Sequence, residues 1–432
     1  MKIETLKKNH LKRNIIIGMV VVLIISAVIL NFTRAKYRVT QSIPLVNGTI
    51  NYSLADLNIV GLYIDGKEAT ELDSNKTYTL DTTQSTCTYK DGSTIPNLTI
   101  SYDSETGALQ ISPFTTKGTK CTLYFEEQVF VKDTILANYP IVKTRTFPLT
   151  ASSKVEGNTT GVIYKSADSI QYDNDGEVYY FAGNPTDNWV KWAGYYWRII
   201  RINGNGSIRM IYQGTSPNTT GTGTQLQTSA FNSSYDRSEY VGLKYTEGEQ
   251  HGQNSNSTIM GVLNTWYSEN IEKTDYADDI DTNVGFCSDR NMASGSSWSS
   301  QPSSTIYYVA YGRLVQSSSN VNPSFKCSNN SDLLKIPVGL ITADEVITAG
   351  LPWSGSTTSN YLYTRQYYWT MSPNRFYATY SYVYVFNVHS GGGLDSSSRV
   401  DSAIGVRPVI NLRSDVTISG GDGTADNPYT IS

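Results

Sequence analysis

The sequence is poor in charge. Asp, Glu, Lys and Arg make up only 17% of its 432 residues, and 34 basic against 38 acidic side chains leave a formal net charge of -4. That is too weak a field of either sign to gather nucleic acid or an anionic bilayer. Histidine is scarcer still. Only His10, His251 and His389 occur, thin material for a catalytic triad or a zinc site. The four cysteines, Cys87, Cys121, Cys287 and Cys327, contain no C-x-x-C spacing, which argues against zinc and against a thioredoxin-like redox site. No repeat of 20–50 residues is found, so a stalk built from repeats is excluded. Neither a cofactor nor a metal is expected.

Tyrosine and glycine are abundant, at 32 and 34 residues. With so few charges, the surface must be made of hydroxyls, amides and phenol rings, a composition shared by secreted β proteins and binding surfaces. Asn14 to Phe32, NIIIGMVVVLIISAVILNF, is an uncharged apolar run close to the roughly 20 residues a spanning helix needs. Lys2, Lys7, Lys8, Lys12 and Arg13 precede it, and the positive-inside rule then places residues 1–13 in the cytoplasm and everything beyond the anchor, 14–33, outside. A cleaved signal peptide is the rival reading, against which stand the long apolar run and Arg34 inside the only small-residue cleavage site. Outside the cell the cysteines should pair. Three connectivities are possible, and Cys87–Cys121 with Cys287–Cys327 is preferred because each pair then lies inside one domain.

Short alternating runs such as Thr77–Leu80 and Leu98–Ser101, separated by Asp-Gly and Lys-Gly turns, predict a small β-sandwich over 40–130, most simply a spacer. Residues 131–158 gain Pro, Thr and Ser and read as a linker. Beyond it, Tyr195–Ile202 and Ser207–Tyr212 flank Asn203-Gly204-Asn205-Gly206, the clearest hairpin in the chain. Ser257–Asn270 spaces Ile259, Val262, Leu263 and Trp266 as a helix does, and Thr342-Ala343-Asp344-Glu345-Val346 opens a short helix with a capping box. The distal domain, 159–413, is therefore α+β, with a β-hairpin tail over 414–432.

Several segments, in order, resemble a bacterial surface-domain family related to the C-type lectin-like fold, which also hosts formylglycine-generating enzymes. They are Tyr196–Ile200, Leu263–Trp266, Gly339–Val346, the W-x-x-S-P of Tyr368–Pro373, and the G-V-R-P of Gly405–Ile410. The resemblance implies that the domain's ends share one sheet, that helices pack on it, and that 374–403, before the last strand, presents a ligand-facing surface. Neither E-P-N, Q-P-D nor W-N-D is present, so it carries no implication of calcium-dependent sugar binding.

Residues 374–403 contain no Lys, Glu, Gln, Met or Trp, the five types that a codon ending in a pyrimidine cannot encode. Targets of diversity-generating retroelements, mutated at adenines in Asn codons of that kind, show this bias. The other reading is an ordinary strand, with Tyr380, Tyr382, Tyr384 and Phe386 at period two. On the recognition reading, Asn374, Tyr377, Tyr380, Tyr382, Tyr384, His389, Asp395, Ser397, Arg399 and Asp401 are the ligand-binding candidates. They resemble a paratope of flat aromatic area and adaptable hydrogen bonds, facing an extracellular protein or glycan.

Catalysis has little to draw on. A formylglycine-generating-like enzyme would need Cys287 and Cys327 as thiols, and a disulfide is the simpler role for them. Asp344-Glu345 is explained by its place at a helix start, and Asp422 and Asp426 by turn formation. A binding protein is expected, with a surface enzyme or a structural envelope protein as the alternatives.

Overall fold

A computed structural model describes residues 57–431 other than 74–75, 105, 114–117 and 354. The expected cytoplasmic segment and anchor, 1–33, lie outside these residues. Among those described, no helix is long and apolar enough to cross a membrane. The chain divides into two compact units, one ending at Gln128 and the other beginning at Val129. Both are dominated by β-strands, and the second adds short helices.

In the first unit the Thr119–Gln128 strand organises the sheet. Its alternation puts Thr119, Cys121, Leu123 and Phe125 on the buried side, as period two requires. It runs parallel to Leu57–Ile64 and antiparallel to Thr77–Leu80 and Thr86–Tyr89. A separate hairpin, Thr99–Asp103 with Ala108–Ser112, adds Leu109 and Ile111 to the same core. Cys87 stands directly opposite Cys121 in the ladder and is bonded to it.

In the second unit, the described residues include a nine-stranded and a six-stranded sheet around a main core, with a small separate cluster of Val162, Tyr164, Tyr180 and Ala182. The Tyr195–Ile202 strand is central to the larger sheet. It pairs on one side with Ile208–Gly214, which carries Val409–Leu412, and on the other with Trp189–Trp192 and Tyr179–Tyr180. Ile141–Thr144 and Tyr429–Ile431, from near the two ends of the unit, belong to this same sheet. Tyr368–Tyr377 and Tyr382–His389 form the long hairpin of the smaller sheet.

Arg407 ties the two sheets together. Fully buried, it donates to the carbonyl of Tyr212 at 3.0 Å and to Gln213 Oε1 at 2.8 Å in the larger sheet, while its guanidinium lies 4.6 Å from the ring centre of Tyr368 in the smaller. The other motif residues are also structural. Arg198 donates to Asn188 and stacks over Trp189, and Trp369 donates its indole N–H to the carbonyl of Ser229. Gly339 leaves room for Phe286, whose ring would lie 2.3 Å from a Cβ there.

The expected linker over 131–158 is corrected by its packing. Val131–Ala137 is a helix that buries Val131 and Ile135 in the main core, and Ile141–Thr144 is a strand parallel to Val162–Lys165. The segment belongs to the second unit, with Val131, Ile135 and Tyr139 buried in its main core while Ile141 and Val142 stay exposed.

The helix over Thr258–Asn270 is capped by Ser257, whose hydroxyl accepts from Met260 N at 3.3 Å. Ala343–Thr348 is opened by a full capping box. Thr342 Oγ1 accepts from Glu345 N at 3.1 Å, and Glu345 Oε2 accepts from Thr342 N at 2.8 Å. The remaining two cysteines, Cys287 and Cys327, are bonded to each other.

Candidate functional site

The Tyr368–Tyr377 and Tyr382–His389 strands are buried on both faces along most of their length and turn one face outward only near the connecting turn. There Phe376, Val383 and Val385 are buried, while Arg375, Tyr377, Tyr382 and Tyr384 are partly exposed. Register then sets the outer face. Tyr377 lies opposite Tyr382, and one row crosses the sheet as Tyr307, Arg375, Tyr384 and Arg399, each opposite the next. Tyrosine and arginine thus alternate along a line of cross-strand neighbours, the arrangement in which side chains on a sheet interact most strongly.

The rings are held by one another and by the arginines. Tyr380, 61% exposed at the hairpin turn, stacks on Tyr382 with centroids 5.8 Å apart and planes 20° apart, and Tyr377 packs on Tyr380 at 5.6 Å. The Arg399 guanidinium lies 4.1 Å from the Tyr382 centroid and 5.2 Å from that of Tyr235, and Arg375 lies 4.4 Å from that of Tyr384. Asp401 accepts from Arg399 Nε at 2.8 Å and also from its Nη2. That hydrogen bonding raises Arg399 above the ordinary arginine value and keeps it charged.

Of the sequence-predicted residues, Tyr377, Tyr380, Tyr382, Tyr384, Arg399 and Asp401 come together here. Asn374 does not. It is fully buried in the strand, its carbonyl accepting from Tyr308 N at 3.0 Å and its Oδ1 from Arg375 at 3.2 Å, because the pleat turns position 374 inward. Asp395 and Ser397 form a local turn. Ser397 donates to Asp395 through N at 3.2 Å and Oγ at 2.5 Å. His389 stands five residues along the strand from Tyr384, about 17 Å away at the usual strand rise, with its ring against Gly391 N and the carbonyl of Gly355. The segment 374–403 is also less irregular than the lectin-like resemblance implies, since most of its first half is hairpin.

Tyr235, Tyr307 and Arg375 were not among the candidates. Tyr235 arrives from a Ser/Asn-rich loop, fixed by the bond from Val383 N to its carbonyl at 3.0 Å, and its ring meets Tyr382 edge-on at 5.6 Å. Nothing local in the sequence marks it. Arg375 sits inside the stretch singled out and follows from the same two-residue alternation once the inward face is known.

A second cluster of charge lies inside the unit. Glu345 takes Arg201 Nε at 3.0 Å and Arg209 Nε at 2.6 Å, Arg201 also reaches Asp173 at 3.0 Å, and Arg313 bridges Asp289 and Asp344 at 2.6 and 2.9 Å. These groups line a cavity of about 30 Å³ beside the Cys287–Cys327 bond, room for a single water. Burial alone would raise the carboxyl of Glu345, but Arg209 and Arg201 hold it below the ordinary glutamate value. The helix-start carboxylates are therefore halves of buried ion pairs. His251 is likewise engaged, with Nδ1 3.0 Å from Asp332 and Nε2 3.2 Å from Asn329. Among the described residues, no group of three or more His, Cys, Asp or Glu is placed to hold a metal.

Comparison with known protein families, with characterised proteins and with solved structures finds no match to this chain.

Proposed function

We propose that this protein is a cell-surface recognition protein, anchored by residues 14–33 with its N-terminus in the cytoplasm. Its second unit binds an extracellular protein or glycan through the tyrosine–arginine face of the Tyr368–His389 hairpin. The observation that carries this reading is the pre-stacked row of Tyr380, Tyr382 and Arg399 at an exposed turn. Tyrosine and arginine are the residue types that concentrate binding energy at interfaces, and rings already ordered by their neighbours lose little freedom on binding. On this reading the first unit is an immunoglobulin-like spacer that carries the head away from the membrane. The second is a C-type lectin-like domain, supported by the sharing of one sheet between its two ends and by the placement of the presenting segment before the Val409–Leu412 strand. The pyrimidine-ending codon signature of 374–403 extends the reading to a surface diversified by a retroelement.

The test is adhesion. Cells displaying the full chain, and cells displaying a Tyr380→Ala/Tyr382→Ala/Arg399→Ala variant, are compared by flow cytometry for capture of a panel of intact cells and purified surface proteins and glycans. The variant is expected to lose capture about tenfold or more with an unchanged melting temperature. Equal capture by both would overturn the assignment.

A further inference from the structure

A groove of about 580 Å³ runs beside the Thr258–Asn270 helix and shares no residue with the tyrosine surface. That volume is in the range of small-ligand sites, roughly 300–1,000 Å³. Aromatic rings supply its apolar part. Tyr195 is half-buried and backed by Tyr212 and Trp266, whose centroids lie 5.5 and 5.8 Å from its own. The polar part is neutral except for one carboxylate, with Gln225, Gln227 and Thr265 joined by Glu269, and among the described residues no Lys, Arg or His lines the groove. An anionic ligand would meet Glu269 uncompensated, so phosphorylated, sulfated and carboxylated molecules are disfavoured.

A further observation concerns the helix wall of the groove. Gly261 stands in the middle of the helix, where glycine is about 0.5–1 kcal/mol worse than alanine. A Cβ there would meet nothing within 4 Å, so neither backbone conformation nor packing asks for glycine. What the missing side chain does is leave one turn of the helix bare along the groove, letting a flat ligand approach the backbone.

We infer that this groove is a second binding site, and that it takes a neutral saccharide. A sugar ring has an apolar face to lay on Tyr195 and hydroxyl groups that donate to Glu269 and exchange hydrogen bonds with Gln227 and Thr265, which are exposed along the groove. This assignment does not depend on the tyrosine surface and stands if that surface proves inert.

The experiment is titration calorimetry of the full chain, held in a detergent without a sugar headgroup, against chitohexaose, cellohexaose and maltohexaose, with hexagalacturonic acid as the charged comparison. At least one neutral oligosaccharide is expected to bind in the micromolar-to-millimolar range and the acid not to bind. Gly261→Phe and Thr265→Trp, both on the exposed face of the helix, should each weaken binding by about tenfold or more. Gly261→Ala should raise the melting temperature, and Tyr382→Ala should leave saccharide affinity unchanged. Absence of binding by every neutral oligosaccharide, equal binding of the acid, or affinity unchanged in both blocking variants would overturn the site.

Discussion

Arg399 lies over Tyr382, its guanidinium carbon 4.1 Å from the ring centroid, while Asp401 accepts from its Nε at 2.8 Å. The pair joins the loop after the hairpin to the strand that carries most of the candidate surface. A cation over a tyrosine face is worth about 0.5–1 kcal/mol at an exposed site, enough to favour one rotamer of each side chain and too little to hold the fold. On the proposed recognition role, such a contact orders the surface in advance of a ligand.

The two faces of the hairpin should therefore respond differently to truncation. Tyr380→Ala removes an exposed ring and is expected to change stability by about 0.5 kcal/mol or less. Phe376→Ala, on the buried face, should cost about 3–5 kcal/mol. Denaturant melts of the second unit read both, and a comparable cost for Tyr380 would mean that its ring supports the fold.

Acid should act through Glu345. Its folded pKa lies below the ordinary value of 4.5, so its contribution is complete above that value and is lost as pH falls through the lower folded one. The melting temperature of the second unit should be flat from neutrality to about pH 5.5 and fall below pH 4.5. Glu345→Gln should cost about 3–5 kcal/mol at neutral pH, by stranding Arg209 and leaving Arg201 with Asp173 alone, and should make the acid limb shallower. Calorimetry across pH decides it; an unchanged acid limb in the variant would remove Glu345 from the explanation.

The disulfides should matter unequally. Each closes a loop of similar length, with sequence separations of 34 and 40, and the chain-entropy estimate is about 4 kcal/mol for either. The first unit has the much smaller core and less burial with which to absorb that loss. Cys87→Ser with Cys121→Ser should unfold it at physiological temperature, whereas Cys287→Ser with Cys327→Ser should leave the second unit folded with a lowered melting temperature. Limited proteolysis separates the two cases.

Local signals were legible in the sequence wherever a single element carried them. The Asn203–Gly206 turn gave the central hairpin, Ser257 and Thr342 gave helix starts, and placing each cysteine pair within one domain gave both bonds. What stayed hidden depends on partners far along the chain. Val131 and Ile135 look like linker residues until the core they fill is known. Asn374 reads as a polar surface residue until the pleat of Tyr368–Tyr377 turns it inward. Glu345 finds Arg201 and Arg209, and Tyr382 finds Tyr235, through contacts that leave no period or spacing in the sequence. The tyrosine surface was half legible for the same reason, its strand visible and its neighbours not.

Sequencing of this gene's locus and its paralogous copies tests the recognition surface most directly. An adjacent reverse transcriptase and an adenine-biased template copy of 374–403 are predicted, with differences between copies concentrated at Tyr377, Tyr380, Tyr382, Tyr384, Arg399 and Asp401 and absent from the buried positions Phe376, Val383, Val385 and Val400. Copies that are constant over 374–403, or that vary equally at the buried and outward positions, would contradict it.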